Sequence, residues 1–577
     1  MKINFNKNIA ALCLLGVLSA GQWSCKKMLD VPAEDKLDSA NSFKTVSDAD
    51  AAVIGIYGQF QGLEKLYVLQ NELRGDLMDV TSRSTADLQE LSSHTETKNN
   101  PYVDPRPYYQ VIVNCNDVLK NFDAMKASLR MSVDDYNKRY SDIASLRSWI
   151  YLQLGIQYGS VPYITDSFKA VEDLNNLNTY PKISFDQLLD RLIALNESLP
   201  YKEPYAYPAG SSLLVTIDGN YTQKLFMSKA FLLGDLYLWK GNYLKAAENY
   251  AKLMNAENTN TNDNVRFNFY KINNFVDAVY SNLAVQFTRS QDDSSLLNSA
   301  DAGWRGIFGL PTTLSAWSSE WFWAMPYGST FKPVNPMIDL CSPLKSYQIR
   351  PSQAVKDLWT SQRGNNGIPY DSRSKLSFTA SAMGDAITKF TDNGGKWGIY
   401  RAALLHLRFS EAANRDGQTK LGWAFLNIGL NRTYYVGTFV AGAMSPATVA
   451  ELNTMITPYP QSSPYYFDAR KNNDVSGTWY RSIGIRGRAV LNPIDVSFQT
   501  DMIGLEGKLI EEAALELAFE GNRWPDLLRI ARRQNNPAFL ADKIYQKLLK
   551  AGNPNASAVR EKLMDPANWY LPFDWAK

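Results

Sequence analysis

Histidine is nearly missing from this 577-residue chain, which has only His94 and His406. Neither belongs to a His-Glu-x-x-His pair, so a zinc-protease helix of that type is excluded. His406 lies between Leu405 and Leu407 and reads as a packed residue. No Gly-x-Ser-x-Gly nucleophile elbow occurs. Gly395-Lys396 and Gly507-Lys508 lack both the upstream glycine and the following Ser/Thr of a phosphate-cradling loop. A pair of glycosidase carboxylates stays open at this level, because only their separation in space is diagnostic. No cofactor and no metal-ligating residues are expected, and a bound structural metal ion stays open at this level.

Excess charge of one sign is also lacking. Lys and Arg number 60 against 58 Asp and Glu. No basic stripe marks a nucleic-acid partner. Long apolar runs are absent except for Ile9 to Leu18, and that run is shorter than the ~20 residues needed to span a bilayer. It follows Lys2 and Lys7 and precedes Ser24-Cys25, the layout of a secretory signal over residues 1–24. A small residue directly before a cysteine resembles the cleavage site of bacterial lipoproteins, although Gln22 and Trp23 depart from the usual small or aliphatic choices. That resemblance implies that Cys25 becomes the acylated first residue and ties the chain to a membrane. The competing reading is an ordinary secreted protein with an incidental cysteine. Cysteine is scarce too: with Cys13 removed and Cys25 lipidated, only Cys115 and Cys341 remain. They are expected as buried core thiols, and a single bridge between them stays open.

Aromatic residues are plentiful, with 14 Trp and 32 Tyr. They suit helix packing and sugar binding equally well. Helical periodicity is clear in several places. Thr45 with Asp48 forms a capping box ahead of Ala52, Val53, Ile56, Tyr57 and Phe60 on one face. The spacing predicts a second helix over Tyr140–Tyr158, ended by Gly159 and Pro162. Ser184 with Gln187 opens another that Pro200 stops. Leu233-Gly234-Asp235-Leu236-Tyr237, then Gly241-Asn242-Tyr243, Ala246 and Tyr250, resembles a tetratricopeptide helix pair. Such a unit needs neighbours to bury its faces, and the helices at 140–158 and 184–199 are the candidates. From about Ala284 to Gly395, Gly, Pro, Ser, Asn and Asp interrupt the apolar runs, so a loop-rich section is expected there. Helical pattern returns at Ile399–Ala413 and at Leu509–Ala531, with a break after Trp524 where Pro525 suits a first turn. Trp569 to Pro572 reads as an extended close.

Several segments, in order, resemble the SusD/RagB family of outer-membrane nutrient-binding lipoproteins. They are Leu29-Asp30-Val31-Pro32, Phe43-Lys44-Thr45 running into Ala52 to Tyr57, Gly75-Asp76, and Leu146-Arg147-Ser148-Trp149-Ile150-Tyr151 leading to Tyr158-Gly159-Ser160-Val161-Pro162. Phe409 to Asn414 and Leu571-Pro572 also fit, and the most specific piece is Glu516 to Arg529. The chain departs from the family's commonest choices at Ser148, Ala413 and Glu512-Ala513. The resemblance implies a mainly helical fold, with tetratricopeptide-like pairs forming a scaffold for a loop-rich ligand-binding subdomain. It divides the chain into a signal peptide (1–24), an N-terminal helical part (25–283) and a C-terminal part (284–577). It also implies a partner, a SusC-like TonB-dependent transporter barrel, and an oligosaccharide or peptide ligand captured at the cell surface without catalysis. A helical glycan-degrading lipoprotein is the alternative.

Trp304, Trp317, Trp321 and Trp323, followed by Tyr327, crowd the loop-rich section and are the candidate ligand platform. The competing reading is that they fill a small core, in which case the Thr81–Tyr109 segment is the next candidate. Glu520, Arg523, Asp526 and Arg529 are expected to form a structural ion-pair network rather than a catalytic set. For the anchor, Cys25→Ala is expected to abolish incorporation of labelled fatty acid and to release the protein from the membrane fraction. Normal labelling and full membrane partition of the variant would refute lipidation at Cys25.

Overall fold

The computed structural model describes residues 43–168, 171–203, 206–217, 220–254, 308, 320–328, 333–364, 367–390, 395–429, 433, 459–460, 462–465, 484–489 and 491–575. Cys25, Trp304 and Trp317 lie outside these residues. The fold is mainly helical, as the sequence motifs imply. Thr45 opens α1 (Val46–Gln61): its hydroxyl accepts from the Asp48 amide, and the Asp48 carboxylate accepts from the Thr45 amide at 2.7 Å. The buried face of α1 carries Val53, Ile56, Tyr57 and Phe60. Next come α2 (Arg106–Ala127), α3 (Val133–Tyr158), α4 (Phe185–Ser198), α5 (Lys229–Lys240) and α6 (Tyr243–Met254). After the loop-rich section, which holds α7 (Gln353–Ser361), follow α8 (Ala402–Arg415), α9 (Thr419–Leu426), α10 (Met502–Glu516), α11 (Arg523–Gln534), α12 (Pro537–Lys550) and α13 (Ala556–Leu563).

Helices α2, α3, α4, α5, α6, α8 and α9 pack each on the next, as in a stack of helical repeats. The pair α5–α6 is the tetratricopeptide-like unit, turned by Gly241 in a left-handed conformation. Gly234 lies under the Tyr250 ring so closely that a methyl group there would overlap it. Gly155 of α3 meets the Phe185 ring of α4 in the same way. The Tyr250 hydroxyl donates to Asp235 at 2.6 Å, which locks the two helices in register. One continuous hydrophobic core runs from Ala49 to Leu571.

Three boundaries differ from the sequence expectation. Helix α3 begins at Val133 rather than near Tyr140, with Ser132 accepting from the Asp135 amide at 3.0 Å; its first two turns are polar and carry no apolar period. The segment expected to be helical from Ile399 starts as a strand, Lys396–Arg401, antiparallel to Trp321–Pro326. The break in the last strong helical run precedes Arg523 instead of following Trp524. Its cause is tertiary. Phe519 and Gly521 take positive φ values of 74° and 83°, and the amides of Phe519, Gly521, Asn522 and Arg523 all donate to the buried carboxylate of Glu72. A carboxylate at the amides that open a helix is favourable. Burial still pushes Glu72 up to about 7 against those four bonds.

Glu520, Arg523, Asp526 and Arg529 are all buried and paired within the protein. Arg529 holds Glu411 at 2.9 and 2.7 Å, Asp526 receives Arg408 at 2.6 Å, and Arg523 grips Asp76. These contacts support the structural reading of the set. Cys115 and Cys341 are both free and buried, and burial pushes the Cys115 thiol up to about 12.

Gly234→Leu forces a large side chain into the Tyr250 ring. Overpacking of this kind costs about 1–3 kcal/mol. A denaturant midpoint clearly below that of the parent is expected, and equal stability of the two would contradict the close crossing.

Candidate functional site

Of the aromatic residues expected to bind ligand, the described ones are core residues. Trp323 is 0% exposed and Trp321 1% exposed. Trp323 stacks on Phe60 at 5.1 Å, meets Trp149 edge-on at 5.3 Å, and donates its indole N–H to the Leu225 carbonyl at 2.9 Å. Trp321 lies across the bare backbone of Gly398 and against the Phe308 ring. Stacking on a sugar needs a free ring face, and neither indole has one. The missed signal was the uninterrupted apolar run Trp321–Pro326, short and aromatic-rich, which is the pattern of a strand buried on both faces. Trp304 and Trp317 are outside the described residues.

Tyr327 is buried as well, with its hydroxyl donating to the Gln61 carbonyl at 3.4 Å and facing Glu64. Glu64 is fully buried, and neither of its oxygens has a hydrogen bond of normal geometry. Burial pushes its carboxyl up to about 8, with the Tyr327 hydroxyl only partly opposing the shift. Both histidines are packing residues. His406 donates Nε2–H to the Phe425 carbonyl at 2.7 Å, and His94 donates to the Arg74 carbonyl at 2.8 Å. Burial holds His94 well below its usual range and lowers His406 to about 3, so neither ring is charged at neutral pH.

The Thr81–Tyr109 segment does contribute to an open cleft, of about 310 Å³, between its end and the chain's last turn. Asn99, Asp104 and Arg106 line one side, and Phe573 with Asp574 the other. Hydrogen bonds from within the fold brace the loop. Asn100 is buried, donates to the Asp87 carbonyl at 2.8 Å and to Glu90 at 3.1 Å, and accepts from the Tyr102 amide at 2.9 Å. Pro101, Pro105 and Pro107 restrict the backbone on either side. Arg106 is held by Asp104, with Nε 2.9 Å from both carboxylate oxygens and Nη2 at 2.7 Å. That pairing raises the guanidinium pKa above its usual value, so it stays charged. Asn99 is exposed and makes no side-chain hydrogen bond among the described residues. Phe573 is half-buried, edge-on to Trp575 at 5.0 Å, and Trp575 in turn meets the edges of Tyr158 and Tyr109. The cleft therefore offers a partly free aromatic ring beside a free amide and a planar Asp–Arg pair, a combination that fits vicinal hydroxyls flanked by a C–H face. Sequence reasoning did not single out Asn99, Asp104, Arg106 or Phe573. The available signal was Asn-Asn-Pro and Asp-Pro-Arg-Pro punctuation, which marks a loop but not its ligand.

No family profile and no curated protein matches this chain. Solved structures do. A SusD superfamily protein from Bacteroides vulgatus ATCC 8482 matches 92% of this chain and 96% of its own at TM-score 0.56 and 14% identity. Surface glycan-binding protein A from Bacteroides uniformis matches the same shares, 92% and 96%, at TM-score 0.55 and 15% identity. A SusD-like carbohydrate binding protein from Bacteroides fragilis NCTC 9343 covers 86% and 88% at TM-score 0.52 and 13% identity. Over nearly its whole length, then, the chain has the SusD-like fold, and the resemblance read from the sequence motifs holds at that level.

Glu64 gives a pH signature that checks the burial of Tyr327. Its folded pKa, near 8, lies above the ordinary 4.5. The stability it contributes is therefore fully present below pH 4.5 and is lost as pH rises through about 8. Glu64→Gln is expected to be more stable than the parent at pH 7–8, by an unfolding free energy on the order of a few kcal/mol in denaturant titrations, with the gap closing toward pH 4.5. A gap that does not change with pH would mean that the carboxyl is solvated.

Proposed function

We propose that this chain is a lipid-anchored cell-surface protein that binds a glycan without cleaving it and hands it to a SusC-like TonB-dependent barrel in the outer membrane. The observation that carries the reading is the SusD-like fold across 92% of the chain, shared with proteins described as SusD superfamily and surface glycan-binding proteins. The signal pattern with Ser24-Cys25 supports the anchor, and the ordered family motifs support the barrel partner. The cleft formed by Asn99, Asp104, Arg106 and Phe573 is the proposed ligand site. An oligosaccharide fits it better than a peptide backbone. The Asp–Arg pair presents acceptor and donor atoms in one plane for adjacent hydroxyls, and Phe573 offers an apolar ring but no deep side-chain pocket.

The test is a panel of glycans titrated against the purified protein, followed by variants. Arg106 is exposed, so Arg106→Ala is expected to shift stability by no more than about 0.5 kcal/mol. Loss of a central contact commonly costs about 2 kcal/mol, roughly thirtyfold in affinity. Arg106→Ala and Phe573→Ala should each weaken binding on that scale and release no product. Parental affinity in both variants would move the site elsewhere, and cleavage of a glycan would replace binding with catalysis.

A further inference from the structure

A second cavity, of about 530 Å³, lies between α7, α10 and α12 and shares no residue with the cleft described above. Its volume falls within the range of small-ligand sites, roughly 300–1,000 Å³. Each helix presents one stripe to it. From α12 come Phe539, Lys543 and Gln546, near one-turn spacing; from α10 come Gly504 and Gly507; from α7 comes Leu358. The walls are fixed. Lys547, one turn beyond Lys543 on α12, donates to the carbonyls of Leu73, Gly75 and Ser92 at 2.5, 3.1 and 3.3 Å.

The charges around this groove cancel in pairs, with one exception. Lys508 meets Glu511 at 3.2 Å, Lys550 meets Asp357, and buried Asp76 is held by both Arg523 nitrogens that face it. Lys543 is exposed and forms no direct salt bridge or hydrogen bond among the described residues; the nearby Asp76, whose carboxyl its charge helps to lower, is already held by Arg523. Lys543 is the groove's surplus positive charge. Four residues before it, the Phe539 ring is half-exposed on the same side of α12. Across from them, Gly507 stands in the interior of α10 with open space where a side chain would be. Glycine there costs about 1 kcal/mol of helix stability relative to alanine. No neighbour among the described residues requires it, and its effect is to leave the groove floor flat.

We infer that this groove is a second binding site, for an anionic pyranose: a sugar ring against Phe539 and the Gly507 backbone, its carboxylate or sulfate on Lys543, and a hydroxyl on the Gln546 amide. The inference rests on the glycan reading for its class of ligand and adds the charge of that ligand. An ammonium group is a point charge and serves carboxylate and sulfate alike, so the titration must separate the two.

The experiment uses the full chain and three trisaccharides: trigalacturonate, sulfated galactotriose and neutral galactotriose, by calorimetry at low and moderate salt. Trigalacturonate, the sulfated sugar or both are expected to bind the parent more weakly as salt rises. Lys543→Gln should reduce that binding at least tenfold, Lys543→Arg should retain it, and Gly507→Leu should block it by filling the floor. Neutral galactotriose should respond to none of these variants. Equal binding of the anionic sugars by the parent and Lys543→Gln, or no anionic binding by the parent, overturns the proposal. The glycan reading itself is judged separately, by the Arg106→Ala arm with the ligand found in the glycan panel.

Discussion

The guanidinium of Arg401 lies inside a buried knot of charge on which the joining of loops to scaffold depends. It donates to Glu320 and Glu516 at 2.8 Å and to Glu520 at 2.7 and 2.9 Å. Arg488 also reaches Glu320 and Glu516, while Arg373 spans Asp371, Glu512 and Glu516. Lys389 adds Glu520 and Arg486 adds Glu512. Among the described residues, five cations (Arg373, Lys389, Arg401, Arg486, Arg488) thus face five carboxylates (Glu320, Asp371, Glu512, Glu516, Glu520), so their charges balance. Burial alone would raise the Glu516 carboxyl, but Arg488, Arg401 and Arg373 outweigh it and hold it well below the ordinary range. Charges this deep are tolerated only as a set, because removing one member leaves its partner buried and unpaired, typically at about 3–5 kcal/mol. The knot ties Glu320, Arg373 and Lys389 of the loop-rich section, with Arg488, to the C-terminal end of α10.

The apolar counterpart is the ring cluster of Phe60, Trp149, Trp323 and Trp397. Phe60 stacks between Trp323 and Trp397 at 5.1 and 4.6 Å, and Trp149 closes the cluster edge-on. Large rings bring the most buried area per residue, which is why so many tryptophans serve packing here. The two cavities lie on segments outside the knot and the cluster: the Asn99–Arg106 loop with Phe573, and the outward stripes of α7, α10 and α12. The backbone around both cavities is braced by buried contacts, through Asn100 at the one and Lys547 at the other.

Much of the scaffold was legible in advance. The two capping boxes at Thr45 and Ser184 form as read. The α5–α6 pair forms around Gly234 as read, and the helix over 140–158 is present with its first turns added. These are local signals, in which a hydroxyl meets an amide three residues on or a glycine faces an aromatic ring within one hairpin. The charged run from Glu520 to Arg529 was legible as structural but not in its partners, since Asp76, Arg401, Arg408 and Glu411 lie more than a hundred residues away in the chain.

Sequence alone determined the mainly helical class, the repeat-like helix pair and the family whose fold the chain shares, because periodicity, caps and motif order are properties of neighbouring residues. Tertiary structure alone decided which aromatics are free. Trp321 and Phe573 are both aromatic rings in aromatic-rich stretches of sequence, yet one lies on a strand covered by Phe308 and Gly398 and the other edges an open cleft. It also decided where α11 begins, since the carboxylate that gathers its first amides belongs to Glu72, about 450 residues earlier. Exposure and long-range pairing depend on what the rest of the chain brings to a residue, and no local pattern encodes that.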